Sequence, residues 1–439
     1  MKRQRLFLGI GGGAIQLGLW SYYAGLSGMR IVIAEVDGGK VRSIRRNRNY
    51  CFLNIALFDR IVTRKVGPLE IYNPGVPRER ERILDCIARA NDIVTAVPST
   101  LFYESGGIAR LLCDGFAARP GSRPVMVYAS ENQIKAARLL EGMVFPRGTP
   151  SHVQFSDTVI ARMGGPHRDR NLLARLNLRR LTPESEEALL VEDFSEIMIE
   201  KCRIPRVLGF ETGFSRFRTT DNINVHEEQK LFGHNAVHSL LGFLAKLKGY
   251  EFMSDYAGDA DFGRIGVDAL RLETGRWFTR KFAGVENEMT APENYESWVV
   301  QLCRRIVNPF LYDAVDRVTR DPDRKMGWSD RLAGIMRNDL SIGITPRRYA
   351  LGIAAALMSH RRDGPPGCRT RISRREAIAN LEKIWRQDGA YDKRQGRKML
   401  ALVGNGFDVI AGWKTSGQKS LYHYLERSGR LKDAGLTSD

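Results

Sequence analysis

In the run KLFGHNAVH, Lys230, Asn235 and His238 are three polar groups set among residues that read as the start of a buried helix. At about 100° per residue they fall within roughly a 140° arc. Lys230 and His238 then stand ~12 Å apart along the axis, so a long ammonium chain and an imidazole can both reach a small ligand between them. Leu231, Phe232, Val237, Leu240 and Leu241 supply the packed face. A lysine desolvated in an apolar cleft has its pKa drawn towards neutrality. That suits a general base for an alcohol or a general acid for a ketone. An asparagine amide stabilises a developing alkoxide without adding charge. The competing reading of the same spacing is a surface lysine followed by two helix-capping polar residues. Glu227 and Glu228, just upstream, read as a solvated helix start in preference to a proton path.

Such groups need elements to position them. RLFLGIGGGAIQLGLWSYYAGLSGMRIVIAEVD (5–37) begins with a short apolar strand, Leu6, Phe7 and Leu8. Gly9, Gly11 and Ala14 then form G-x-G-x-x-A, with Gly13 in the same turn, and MRIVIAE is a second strand ending in Glu35. A dinucleotide-binding fold requires this order. Gly9 makes the tight turn, Gly11 lets backbone approach a pyrophosphate, and Ala14 lets the helix pack close, its N-terminus facing the phosphates. A carboxylate at Glu35 takes ribose hydroxyls and repels a 2′-phosphate, which favours NAD(H). Arg42, Arg45 and Arg46 keep NADP(H) open. A glycine-rich turn in some other α/β domain is the alternative.

The alternation continues with RERERILDCIARA (78–90) as a helix, NDIVTAVP (91–98) as a strand, GGIARLLCDGFAAR as a helix and RPVMVYASEN (123–132) as a strand. Alternating strands and helices imply a parallel, doubly wound sheet, with ligands at the strands' carboxyl ends. Val97, Pro98, Glu131 and Asn132 fall there, although Asn132 also reads as a turn former. Past about residue 205 the strands fade. Residues 230–249, 259–282, 294–308, 347–361 and 374–387 carry helical periodicity. The expected fold is a Rossmann-type α/β domain over 1–204 and a mostly α-helical domain over 205–439. GTP (148–150), GGP (164–166) and PRVLG (205–209) read as loops or linkers.

Composition narrows the classes. The chain has 439 residues, 43% hydrophobic and 27% charged, which fits a globular protein of more than one domain. No apolar run approaches the ~18 residues that span a bilayer. The glycine-rich N-terminus is read as the nucleotide loop, not as a signal peptide, so a cytoplasmic location is expected. Cys51, Cys86, Cys113, Cys202, Cys303 and Cys368 are widely spaced, with no C-x-x-C pair. They read as mostly buried thiols, and no structural metal is expected. The net charge of +18 is scattered, with local concentrations in RSIRRNR and RDRNLLARLNLRR. It reads as a solvated basic surface first, attraction for an anionic small molecule second, and nucleic acid last.

Together these residues resemble the mannitol dehydrogenase family of long-chain polyol dehydrogenases, especially its mannitol-1-phosphate 5-dehydrogenase branch. In that family K-x-x-x-x-N-x-x-H holds the catalytic lysine, an asparagine and a substrate-positioning histidine, and Lys230, Asn235 and His238 reproduce the spacing. SENQIKAARLLEG (130–142) is similar to the segment whose asparagine completes the oxyanion hole, which gives Asn132 that role. VNPFLYDAVDRVTRDPDRKMGWSDRLAG (307–334) resembles the family's N-P-x-L-x-D-x-V-x-R-V block, implying that Arg317 and Lys325 contact substrate. LGIAAAL (351–357) matches a family helix, and the resemblance spans about 5–400. Ala161 departs from it, standing where the family has an aspartate at the substrate pocket, and residues after about 400 have no counterpart.

The resemblance implies a metal-independent NAD(P)-dependent reaction between a ketose carbonyl and a hexitol alcohol, with the nicotinamide facing a cleft between the domains. The substrate is a sugar phosphate or a fructosyl–amino-acid conjugate of opine type. The expected partner is that small molecule, without nucleic acid or membrane, on a monomer or small homo-oligomer. The alternative from another class is a nucleotide-sensing regulator that has lost catalysis.

Overall fold

The structure, a computed structural model, describes residues 4–194, 196–285, 287–359 and 372–429. Contacts divide the chain into two units, Met1–Glu227 and Glu228–Asp439.

Among its described residues the first unit carries twelve strands: β1 Leu6–Ile10, β2 Arg30–Ala34, β3 Cys51–Ala56, β4 Ile61–Val66, β5 Leu69–Tyr72, β6 Asp92–Thr95, β7 Val125–Ala129, β8 Val153–Ile160, β9 Gly164–His167, β10 Ala188–Glu192, β11 Ile197–Glu200 and β12 Arg218–Thr220. Six run parallel in the order β5-β2-β1-β6-β7-β8. That is the doubly wound 3-2-1-4-5-6 arrangement. β11 adds antiparallel to β8, and β12 parallel to β11. Both faces are buried: Leu6, Leu8 and Ile10 of β1 enter one core with the helices Pro77–Arg89, Ile108–Ala117 and Ala136–Val144, while Phe7 enters the other with Trp20. This is the two-sided burial of a covered parallel strand.

A second, four-stranded sheet, β4-β3-β10-β9, was not visible in the sequence. The expected loop GGP (164–166) is part of β9. Gly164 has φ +144, and a Cβ there would meet Leu190 O at 2.5 Å, so only glycine lets β9 pair this closely with β10. The first unit also runs past the expected boundary at 204/205. Phe214 stacks on Phe217 with centroids 5.0 Å apart, both rings pack on Trp20, and β12 pairs with β11. These contacts hold 205–227 to the first core.

The second unit is helical. Ala236–Lys248 packs on Arg347–Ser359, which packs in turn on Lys393–Ser416. The first of these contacts is close: a Cβ on Gly352 would lie 3.0 Å from Leu240 Cδ1. Lys393–Ser416, the 24-residue helix, and Leu421–Arg427 after it lie where no counterpart was recognised. Among the described residues no helix is long and apolar enough to cross a membrane. Cys51 and Cys86 are buried, as expected, but Cys113, Cys202 and Cys303 are only partly so. Cys368 lies outside the described residues.

One buried acid of this unit makes a stability prediction. Asp339 is 0% exposed, and neither carboxyl oxygen has a hydrogen-bond partner. Burial, and then the nearby Glu273, raise its pKa well above the usual carboxylate range. A carboxyl raised in the folded state contributes its full stability below the unfolded pKa and loses it as pH rises through the folded value. Asp339→Asn keeps the shape and removes the ionisation. It is expected to melt higher than wild type at pH 8, by roughly 2–4 °C per kcal/mol recovered, with the gap shrinking towards pH 5. Melting curves across that range decide it. An unchanged gap at every pH would show that Asp339 does not titrate against folding.

Candidate active site

In the first unit the sheet order reverses between β1 and β6, and the loops leaving these strands meet there. Gly11, at φ +97, brings its backbone so near β6 that a Cβ would lie 2.6 Å from Ala96 O. A Cβ on Gly12 would lie 2.3 Å from Glu35 Oε2, so the carboxylate rests against the loop. Its Oε1 accepts the Asp37 N–H at 2.8 Å. Gly13 faces open space, with nothing within 4 Å of a Cβ position. Beneath Gly9, the buried Gln16 amide has no hydrogen-bond partner. Open backbone, a helix N-terminus and an acid at the end of β2 fit a dinucleotide with free ribose hydroxyls. Ala14 packs on the core as the close-packing position requires. Sequence reasoning missed Lys40, whose Nζ donates to Gly12 O at 3.1 Å and lies 3.3 Å from Glu187, the residue before β10.

Val97 and Glu131 are joined. The Glu131 carboxylate, 5% exposed, accepts from Val97 N–H and Thr95 Oγ1, both at 3.0 Å, and from the Tyr103 hydroxyl. Burial pushes its pKa up to about 7 against these three bonds. The next residue, Asn132, is exposed in the bend after β7.

In the second unit the opening stretch is not a regular α-helix. Gln229–Asn235 is π-helical, and α-helix resumes at Ala236. The Thr274 hydroxyl, itself paired with Tyr349, donates to Phe232 O at 3.1 Å and supports the wider turn. Gly233 sits under Trp298, where a Cβ would meet the ring at 2.6 Å. In a π-turn the i→i+5 bonds widen the helix, so that residues five apart stand closer in angle than on an α-helix. Lys230 and Asn235 therefore come nearer to one side than on a regular α-helix, and His238 follows one α-turn later. The three are partly accessible, while His234 between them is buried.

Asp313 anchors the far end of this stripe. Its Oδ2 lies 2.9 Å from His238 Nε2, off the line of a straight hydrogen bond, and its Oδ1 accepts from Arg317 Nε at 2.8 Å. Burial alone would raise the Asp313 pKa; Arg317 and His238 outweigh it and hold the carboxyl at about 2. Arg317 thus grips His238 through Asp313. Asp313 was not singled out in the sequence, although it is the aspartate of the quoted N-P-x-L-x-D block. Glu227 is not the solvated helix start expected: it is 6% exposed and accepts Lys135 N–H at 3.1 Å. Glu228 pairs with Lys281.

Lys325 is 6% exposed, its ammonium donating to Arg320 O. Burial and then Arg331, Arg324 and Arg320 push its pKa down to about 7. Arg331, also 6% exposed, is paired with Asp330 and is within electrostatic reach of His234, as are Lys230, His238 and Arg305. The second unit therefore carries Lys230, Asn235 and His238 on one run, while Arg331 is within electrostatic reach of both Lys325 and His234. Among the described residues no three His, Cys, Asp or Glu side chains converge as a metal site.

A profile of the mannitol dehydrogenase C-terminal domain matches residues 222–384. Mannitol-1-phosphate 5-dehydrogenase of Exiguobacterium sibiricum is 31% identical over 282 residues, 64% of this chain and 67% of that protein. Among solved structures, the ternary complex of Pseudomonas fluorescens mannitol 2-dehydrogenase with NAD and D-mannitol superposes with a TM-score of 0.72 at 15% identity, covering 97% of this chain and 95% of that one. A substrate-free D-sorbitol dehydrogenase gives 0.63 at 15% identity, over 91% and 92%. The chain belongs to the mannitol dehydrogenase family, whose members are NAD-dependent oxidoreductases acting on CH–OH groups.

Proposed function

We propose that this enzyme interconverts a ketose-type carbonyl and a hexitol secondary alcohol on an anionic substrate, a sugar phosphate, using NAD(H). The observation that carries the reading is the stripe of Lys230, Asn235 and His238 on one π-turn and the helix after it, with Asp313 behind it. The dinucleotide, bound over Gly9, Gly11, Gly13 and Ala14, supplies the hydride. Glu35 against the loop supports NAD(H) over NADP(H), because a carboxylate there repels a 2′-phosphate. Lys230 gives its proton to the ketone oxygen in reduction and takes the alcohol proton in oxidation. Asn235 donates an amide N–H to that oxygen as charge develops. Asn132, carried over from the sequence resemblance, is proposed as a second amide donor. His238, steadied by Asp313, orients a neighbouring hydroxyl.

Two buried basic groups, Lys325 with its pKa drawn down to about 7 and Arg331 paired with Asp330, support an anionic substrate, whose charge would favour the protonated lysine. A phosphate supplies that charge, and the similar Exiguobacterium protein is named for a phosphorylated hexitol. The test is oxidation of NADH and NADPH against fructose, fructose 6-phosphate and fructosyl-glutamine. Turnover of NADH with fructose 6-phosphate is expected. Turnover of fructosyl-glutamine alone moves the substrate to the amino-acid conjugates. No turnover with measurable NADH binding overturns the reading in favour of a nucleotide sensor. In the active enzyme, Arg331→Gln is expected to raise KM for the phosphorylated ketose at least ~10-fold, the scale of a charge-assisted contact. The KM for free fructose should stay level. An equal loss for both would show that Arg331 is structural.

A further inference from the structure

His234 lies between Lys230 and His238, four residues from each, which places it one turn from both. It is 4% exposed, and its Nδ1 is buried with no hydrogen-bond partner. Native proteins leave few such atoms, and those that persist call for a reason. Its ring centroid is 5.8 Å from that of His238, at 48°. Burial, and then the charges of Arg305, His238, Lys230 and Arg331, drive its pKa well below the ordinary histidine value. It is therefore a neutral imidazole and no proton carrier near neutral pH.

The charged groups facing it come from several elements. Lys230 and His238 share its own run, Arg305 comes from Pro292–Ile306, and Arg331 from Arg331–Ser341. Asp313 with Arg317 stands behind His238, and Asp330 beside Arg331. A lysine and two arginines offer only donors. The nitrogen that such a set selects is an acceptor, with the proton on Nε2.

We propose that His234 is a positioning residue of this centre: its Nδ1 is the acceptor towards which the Lys230 ammonium turns when Lys230 holds the reaction's proton. This rests on the reading of Lys230 as the acid and base. A hydrogen bond accepted from the charged form favours that form, so His234 keeps Lys230 protonated to higher pH. It thereby sets the pH at which reduction gives way to oxidation.

The experiment compares pH profiles of kcat/KM in the reductive direction for wild type, His234→Leu and His234→Gln, with NADH affinity and melting temperature for each. In His234→Leu the alkaline limb, where Lys230 loses its proton, is expected to move down by about one pH unit, a tenfold effect. NADH affinity should not change. His234→Gln, whose Oε1 can accept, should restore the limb. If the leucine variant does not fold, His234→Phe replaces the ring without its nitrogens. A folded variant with an unmoved limb, or one moved to higher pH, overturns the proposal. A lowered melting temperature with an unmoved limb does the same and makes His234 structural. Lys230→Ala is run in parallel. If it keeps activity with the wild-type limb, the reading of Lys230 itself falls, whatever the His234 variants show.

Discussion

Lys230→Ala is expected to lose turnover by about 10²–10⁴-fold, the usual contribution of a positioned acid or base, while NADH affinity stays within twofold. The separation follows from where the parts lie. The glycine loop and Glu35 belong to the first unit, and Lys230 to the π-turn of the second. Removing the side chain leaves the turn intact, because its support comes from Thr274 on Phe232 O and from Trp298 over Gly233. Two further variants sharpen the test. Added methylamine should partly rescue the alanine variant by standing in for the lost amine. Lys230→Arg should fail most severely in oxidation, because a guanidinium cannot give up its proton to become a base. Stopped-flow turnover and a fluorescence titration with NADH measure the two effects. Full turnover in Lys230→Ala would remove the assigned role, and loss of NADH binding would show that the substitution disturbs more than proton transfer.

The N-terminal half was legible because its signals are local. Strand, glycine turn, helix, strand and acid follow one another within 5–37, and each residue's role depends on neighbours in sequence. The structure reproduces that order, with Leu8 paired to Val32 on one side and Ile93 on the other. The four-stranded sheet was illegible because its partners are distant. β10 pairs with β3 more than a hundred residues earlier, and β9 carries Gly164, Gly165 and Pro166, residues that ordinarily break strands. The domain boundary slipped for a related reason: Phe214 and Phe217 look like loop residues until Trp20 is seen beneath them.

The run holding Lys230, Asn235 and His238 was read with a regular α-helical period, and the structure gives it a π-turn. At 100° per residue Lys230 and Asn235 stand 140° apart, whereas the π-turn brings them closer to one side. The Thr274 hydroxyl that bonds Phe232 O comes from far along the chain, and no period read from nine residues contains it. His234 and Arg331 were passed over because burial beside other charges is a property of packing. Asp313 lay in plain view in a quoted block. The hint was its place four residues before Arg317, the spacing of a helical ion pair, which the structure realises.

Asp261→Ala is the largest stability change expected. The Ser420–Tyr422 turn, among the residues after about 400 that were unmatched in the sequence, is tied down by this buried acid. Asp261 Oδ1 accepts from Ser420 Oγ at 2.8 Å and Tyr422 N–H at 2.7 Å, and Oδ2 accepts from Leu421 N–H at 2.9 Å. The same Oδ2 pairs with Lys248, which is also paired with Asp259. The side chains of Asp261 and Lys248 are 0% and 3% exposed. Alanine strips the partner from two buried backbone N–H groups and leaves Lys248 with a single acid. Breaking a buried ion pair from one side typically costs about 3–5 kcal/mol. Lys248 ends the helix that His238 sits on, so the loss reaches the stripe as well as the Leu421–Arg427 helix. Limited proteolysis should cut near Gly417 in the variant and spare wild type, with a lower melting temperature for the second unit. Lys248→Met tests the same bond from the other end. It leaves Asp261 its three donors while removing the charge, and is expected to cost less than Asp261→Ala. An equal or greater loss there would mean that the ion pair, and not the grip on the C-terminal helix, holds this corner of the fold.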